Sequence, residues 1–169
     1  MPLKPSMDSL FYFLSLKKEY EERIRLKLQT NEEMLRGLAE LESALAQANS
    51  AFETTGSFAY CAECARRGVI CCGEGLEWKL SKEEFFLNLA LLERQRKSLD
   101  LENSLPKRCL FLGKRGCKLP MPPLFCRNFF CTNLQDFLGQ ARLIFIQNAM
   151  GPSVYLSFQL CEKLKQWRI

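Results

Sequence analysis

The chain has 169 residues, of which 47% are hydrophobic and 25% are charged, with 24 Lys and Arg against 19 Asp and Glu. This length allows one domain with a hydrophobic core and excludes two large domains joined by a linker. The composition is that of an ordinary globular protein and excludes a disordered or collagen-like chain.

The beginning of the sequence resembles no export signal. Its first eight residues, MPLKPSMD, lack the apolar segment that precedes a signal cleavage site. The densest apolar stretches, residues 85–92 and 143–146, are shorter than the roughly 18 residues that a membrane-spanning helix requires. We therefore expect a cytoplasmic protein that does not cross a membrane.

The N-terminal third has the periodicity of two helices. One runs from residue 8 to about residue 29, and Thr30 with Glu33 has the form of a capping box that starts the next. In that second helix the apolar residues recur as an a/d seam over two heptads: Met34, Leu38, Leu41, Leu45 and Ala48. The pattern leaves two alternatives: a hairpin folded back on the domain, or an arm for self-association or a protein partner through residues 8–52.

Further helices are predicted after residue 57. Ser81 with Glu84 forms a second capping box, whose helix would extend to about residue 98. Residues 105–131 are rich in Pro and Cys and predict a loop, with a short strand at residues 110–112. A helix from residue 134 would stop at Gly151-Pro152, and Ser153 would cap a last helix.

Nine cysteines carry the distinctive chemistry of the chain. Eight form two groups, Cys61, Cys64, Cys71 and Cys72, then Cys109, Cys117, Cys126 and Cys131. A reducing cytosol disfavours disulfides and the count is odd, so we interpret the groups as metal ligands. The alternatives are a disulfide framework and, for single cysteines, an inert buried position. Cys161 lies on the apolar face of a predicted helix and is assigned to the core.

The spacing identifies some ligands better than others. Cys61 and Cys64 are the firmest pair, because C-x2-C in a tight turn aims two sulfurs at one ion. Cys71 and Cys72 are adjacent, and neighbouring side chains of an extended strand point to opposite sides. They therefore need either a turned backbone, for which Gly73 supplies freedom, or two different destinations.

The cofactor predicted by these residues is a zinc ion or an iron–sulfur cluster. The sequence has no histidine, so the ligands must be mainly sulfur, and four thiolates suit both centres. Four nearby aromatic residues would shield a cluster from water and favour iron–sulfur: Phe111, Phe125, Phe129 and Phe130. A four-thiolate centre carries a charge of about −2, which offsets part of the net charge without a nucleic-acid partner.

Residues 61–131 resemble the bacterial and archaeal family described as a zinc- or iron-chelating domain and named for its CxxCxxCC signature. The resemblance lies in the two cysteine groups, in the helix opening LSKEE and in the segments CLFL, GC and PLFCR. It implies that the eight cysteines chelate metal. The chain departs from the family in having six residues, 65–70, between the second and third cysteines, and in having Pro122 where the family has Arg. A similar cysteine domain occurs in flagellin lysine N-methylases, but the likeness is confined to the cysteines and does not extend to methyl transfer.

The fold class expected from these features is mainly α. An N-terminal helical hairpin, residues 1–56, precedes a small helix-rich cysteine-cluster domain with loops, residues 57–169, stapled by metal. The function we favour is a metal-binding module that recruits a partner, and no catalytic residue is identified. The alternatives are an iron–sulfur enzyme dependent on Cys71 or Cys72, and a zinc-stabilised nucleic-acid binder. The latter would use three basic pairs as phosphate contacts: Arg66-Arg67, Lys107-Arg108 and Lys114-Arg115.

Overall fold

The computed structural model describes residues 5–167, with side chains from residue 8 onward. Its helices are α1 (Pro5–Glu19), α2 (Arg25–Thr30), α3 (Glu32–Thr54), α4 (Ser57–Arg66), α5 (Lys82–Arg94), α6 (Leu124–Arg127) and α7 (Thr132–Gln166). A π-helix, Tyr20–Ile24, joins α1 to α2, and a 3-10 turn, Leu76–Lys79, precedes α5. Strands β1 (Leu112–Gly113) and β2 (Gly116–Cys117) form an antiparallel hairpin. The prediction of a mainly α fold is confirmed. Within the described part of the chain, no helix is both long enough and apolar enough to cross a membrane.

Two groups of buried side chains form the interior. The main core joins α1, α2, α3, α5 and the C-terminal part of α7, with members that include Phe13, Leu41, Phe86, Phe111 and Leu164. The second core lies at the other end of α3, with members that include Ala48, Ala51, Phe130, Leu134 and Ile146. The segments that carry the cysteines are attached to these two cores.

The N-terminal helices fold back on the rest of the chain. The Phe13 ring of α1 lies 5.0 Å from the Phe85 ring of α5, measured between centroids. The Tyr20 hydroxyl donates a hydrogen bond to the Glu93 carboxylate at 3.0 Å. The predicted a/d seam of α3 is buried, mostly in the main core. Of the two alternatives for this hairpin, the structure has the folded-back one, and core residues on both sides of the predicted boundary at residue 56 pack together.

Helices α3 and α7 pack antiparallel and at close range. Glu33, near the start of α3, pairs with Lys163, near the end of α7, at 2.5 Å. Gly37 faces Leu160 so closely that a Cβ on the glycine would lie 2.6 Å from a leucine methyl carbon. A glycine inside a helix costs about 1 kcal/mol relative to alanine. In this structure the Leu160 side chain occupies the space that a Cβ on Gly37 would need.

The start of α3 corrects the predicted capping box. Asn31 is the N-cap, and its side chain accepts the backbone N–H of Met34 at 2.9 Å. Thr30 belongs to the last turn of α2, where its hydroxyl donates to the Leu26 carbonyl at 2.9 Å. An asparagine carbonyl in an extended residue reaches the third N–H, whereas a helical threonine bonds backwards. By contrast, the capping box of Ser81 and Glu84 is confirmed.

The predicted end of the helix after Gly151-Pro152 is wrong. Helix α7 continues through Pro152 to Gln166, and its irregularity lies at Gly139, with φ 67° and ψ 166°. The reason is a buried stripe that crosses the proline: Ile146, Met150, Ser153, Ser157, Leu160 and Leu164. Burying this stripe offsets the roughly 3 kcal/mol that a proline costs inside a helix. At the break, the Arg142 guanidinium donates to the Leu138 carbonyl at 2.7 Å.

We expect the buried seam of α3 to stabilise the whole chain. Leu41→Ala should lower the free energy of unfolding by about 2–5 kcal/mol, because it leaves a cavity in the main core. The matched control is Leu26→Ala, at a leucine with 72% exposure, which should change stability by no more than about 0.5 kcal/mol. Urea unfolding followed by circular dichroism measures both. Equal effects would contradict the folded-back packing.

The N-cap assignment makes a second prediction. Asn31→Ala should lower the unfolding free energy by about 1 kcal/mol, because the Met34 N–H loses its acceptor. Thr30→Ala, one residue earlier, should cost less than about 0.5 kcal/mol, since its bond returns to its own helix. If Thr30→Ala lowered the unfolding free energy more than Asn31→Ala in the same urea titrations, the result would support the capping box predicted from sequence instead.

Candidate metal centre

All nine cysteines have free thiols, so no disulfide framework is present. Cys161 is buried in the main core, as predicted. The other eight lie in α4, in the segment before the 3-10 turn, around the β-hairpin, in α6 and at the start of α7, and of these Cys109 is buried in the main core. Thiols that are neither paired nor, for the most part, buried in the core are available as ligands.

Cys61 and Cys64 lie on a helix, which corrects the tight turn predicted for them. Gly56, with φ 79°, turns the chain after α3, and α4 begins at the next residue. The Thr55 hydroxyl, 2.9 Å from that of Ser57, helps to fix this corner. Residues three apart share one helix face, so both thiols still point the same way. The C-x2-C pair is therefore presented by one turn of helix.

Stacked aromatic rings bring Cys131 to the same place. The Phe52 ring of α3 lies 5.0 Å from the Phe58 ring of α4 and 6.1 Å from the Phe130 ring. The Tyr60 ring stacks on Phe137 of α7 at 4.6 Å. Cys131, at the N-cap of α7, directly follows Phe130 and packs on the second core. The end of the 105–131 segment is thus held against the helix that carries the first cysteines.

The electrostatics agree with this placement. Burial raises the pKa of the Cys61 thiol, and the nearby charges of Cys71, Cys131 and Cys64, when ionised, raise that pKa further. The pKa of Cys71 is likewise raised by burial and then by the charge of Cys131. Cys61 and Cys71 therefore both lie within range of the charges of Cys64, Cys72 and Cys131.

Backbone pairing gathers a second set of cysteines around the hairpin. The Cys109 N–H donates to the Cys72 carbonyl at 3.1 Å, and the Cys109 carbonyl accepts the Leu112 N–H at 2.9 Å. Leu112 is paired with Cys117 across the hairpin. Cys126 follows in α6. Its backbone N–H donates a hydrogen bond to the Pro123 carbonyl at 2.9 Å, which closes the first turn of that helix.

The thiols of this second set also affect one another. Burial raises the pKa of Cys109 to about 12, and the charges of Cys117 and Cys126 contribute. The residue surface of Cys117 is exposed, yet the surrounding protein desolvates its thiol and raises its pKa to about 11. Burial raises the pKa of Cys126 too, and Cys72 adds to that shift. Cys72 is thus close to the hairpin thiols.

Two buried polar side chains that the sequence analysis missed hold the cysteine segments in place. The Asn88 amide donates to the Met121 carbonyl at 2.9 Å and accepts the Met121 N–H at 2.8 Å. The Glu77 carboxylate accepts a hydrogen bond from the Gly75 N–H at 3.0 Å, in the segment that follows Cys71 and Cys72. A lone asparagine inside the apolar run 85–92 was the available signal for Asn88. No pattern in the sequence marks Glu77.

Arg127 acts as a clamp between the cysteine loop and α7. Its guanidinium donates to the Pro122 carbonyl at 2.9 Å and to the Ser153 hydroxyl at 3.1 Å. Burial lowers its pKa, and the charge of Glu84 opposes that shift. Its hydrogen bonds position the residues before Cys126.

The predicted aromatic shell is only half present. Phe111 and Phe130 are buried, whereas Phe125 and Phe129 are about half exposed. Among the basic pairs, Arg66 and Arg67 both form ion pairs with Glu63. Their charges are therefore partly neutralised on their own helix.

Sulfur chemistry fits a thiolate centre, although no three ligands are in place. Within residues 5–167, no group of three or more Cys, Asp or Glu side chains has an arrangement that could hold a metal ion as it stands. The donor set itself is eight free thiols from two segments, without histidine. Free thiols with raised pKa values are protonated near neutral pH, so metal binding there must displace protons.

We expect Asn88 to fix the loop that carries Cys117 and Cys126. Asn88→Ala should lower the unfolding free energy by about 1–3 kcal/mol for each Met121 group left unpaired. It should also speed alkylation of those two thiols. The control is Asn49→Ala on the exposed face of α3, which should change neither quantity. Unaltered thiol reactivity in the Asn88 variant would contradict the positioning role.

Comparison with known families, curated proteins and solved structures finds no match to this chain. The resemblance of residues 61–131 to the CxxCxxCC family therefore stays a prediction.

Proposed function

We propose that the chain is a metal-binding protein whose clustered thiolates hold zinc or an iron–sulfur cluster. The observation that supports the proposal most is the meeting of the two cysteine segments. Cys61 lies within electrostatic range of Cys131, and Cys72 within range of Cys117 and Cys126, with no disulfide between them. Such a gathering of free thiols supports a shared inorganic centre.

The donor chemistry limits the choice of metal. Soft thiolates select zinc, copper(I) and iron–sulfur clusters over magnesium or calcium, which prefer oxygen ligands. The residues that would bind are Cys61, Cys64, Cys71, Cys72, Cys109, Cys117, Cys126 and Cys131. A zinc ion would supply a tetrahedral cross-link, and an iron–sulfur cluster would add one-electron transfer.

A cross-link is what the cysteine segments lack. Between α4 and α5, and between α5 and α7, regular structure is confined to a 3-10 turn, a hairpin with two-residue strands and the short α6. Few backbone hydrogen bonds therefore hold these segments by themselves. Because a metal site does not exist in the unfolded chain, binding energy becomes folding energy for them. The proposed role of the metal is to order residues 67–81 and 95–131.

We still propose a partner for residues 8–52, but it would contact a different surface from the apolar seam considered in the sequence analysis. The apolar seam of these helices is occupied by the chain's own core. A partner would have to contact outward-facing side chains such as Phe11 and Leu26, which are 63% and 72% exposed. The metal-binding part of the proposal does not depend on that contact.

Metal removal should loosen the cysteine segments and leave the helical core folded. Protein purified without oxygen should contain zinc or iron by elemental analysis, and iron–sulfur clusters would give visible absorption that zinc does not. A strong chelator should then speed amide hydrogen exchange in residues 67–81 and 95–131. Exchange in α3 and α7 should change little, since the main core packs them together.

The control is the same chelator saturated with zinc beforehand, which should leave exchange unchanged. Adding zinc, or iron and sulfide, to the stripped protein should restore protection. Protein that holds no metal after anaerobic purification, and takes up none when it is supplied, would overturn the proposal. Demonstrated metal loss with unchanged exchange would overturn the ordering role.

A further inference from the structure

Cys71 and Cys72 are neighbours in the chain with different surroundings. Cys71 is exposed, whereas Cys72 is half-buried and packs against the main core. The Cys72 carbonyl is bonded to the Cys109 N–H, and the next residue, Gly73, forms a β-bridge with Arg108. The backbone at Cys72 is thus tied to the hairpin segment.

The two hydrophobic cores also separate other cysteines into two groups, one beside each core. Cys109 is a member of the main core, on which Leu112, the partner of Cys117, also packs. Cys131 packs on the second core together with Tyr60, the residue before Cys61. Cysteines attached to separate cores are held in separate places, because well-packed cores are rigid.

Backbone pairing and core packing assign Cys72 to the hairpin cysteines, whereas the exposed Cys71 is left for the cysteines beside the second core. The split between the groups therefore falls at the peptide bond that joins residues 71 and 72.

We propose, on the basis of the proposed function, that the chain holds two separate metal centres, each with four cysteine ligands. The first centre consists of Cys61, Cys64, Cys71 and Cys131, and the second consists of Cys72, Cys109, Cys117 and Cys126. Four thiolates complete a tetrahedral zinc site or the ligand set of an iron–sulfur cluster. Eight cysteines therefore satisfy two centres with none left over.

The net charge of the chain fits two centres, and the two proposed centres differ in solvent exposure. Two four-thiolate centres carry about −4 in total, which nearly cancels the net charge of +5 counted with neutral cysteines. The first centre includes two exposed cysteines, Cys61 and Cys71, while the second includes one, Cys117, together with the buried Cys109. The first centre should therefore release its metal sooner to a chelator.

Pairs of substitutions test the division with the full-length protein and zinc alone as the probe. Zinc per chain is measured by native mass spectrometry after reconstitution under reducing conditions. The wild type should bind about two equivalents, at four thiolates for each ion. Cys61→Ser with Cys71→Ser, both from the first centre, should leave about one equivalent. Cys61→Ser with Cys72→Ser, one from each centre, should leave none. Cys161→Ala, in the core, should keep both ions.

The outcomes separate the two proposals. A wild type that binds no zinc, iron or cluster would defeat the proposed function itself. A wild type that binds a single equivalent, or equal losses in the two double variants, would defeat only the division into two centres. Because the two double variants differ at neighbouring positions and remove the same number of thiols, circular dichroism should show equal helix content in both.

A measurement on the wild type alone guards against variants that fail to fold. Zinc-loaded protein is titrated with chelator while exposed thiols are alkylated and identified by mass spectrometry. Cys71 should be modified with Cys61, Cys64 and Cys131 in a first step, and Cys72 with the hairpin cysteines in a second. Joint modification of Cys71 and Cys72 in one step would overturn the division.

Discussion

The antiparallel packing of α3 on α7 sets the position of everything else in the chain. One end of this pair, at Gly37 and Leu160, closes the main core, and its other end holds the second core. A bundle of this kind gains most of its stability from buried apolar area, at about 25 cal/mol per Å². The cysteine segments add apolar side chains such as Leu110, Phe111 and Met121 to the main core, and this packing attaches them to the bundle.

The cysteine segments are positioned by contacts that do not involve sulfur. Aromatic stacking through Phe52 and Phe130 brings α4 to the start of α7, and the Asn88 amide fixes the loop after the hairpin. Arg127 ties the same loop to α7. These contacts bring the cysteine segments near one another, which would reduce the conformational entropy cost of the proposed metal binding. In the proposed function, metal would complete an arrangement that packing has begun.

Thiol gathering also has an electrostatic cost that points to the same function. Burial and mutual repulsion both raise thiol pKa values, so ionising several of these cysteines together is unfavourable without a cation. A bound metal ion reverses that effect, because a coordinating thiol is deprotonated. Nearby cationic side chains give partial compensation, as Arg108 does for Cys72.

The sequence by itself determined the mainly α class, the capping box at Ser81 and the core position of Cys161, because periodicity and caps are local properties. It did not determine that Pro152 lies inside a helix, that Asn31 rather than Thr30 caps α3, or that the N-terminal helices fold back on the domain. Only the tertiary structure decided these, since burial against distant residues outweighs local preference. The different surroundings of the adjacent Cys71 and Cys72 are also beyond the sequence, because only the folded chain ties Cys72 to the Cys109 segment and leaves Cys71 exposed.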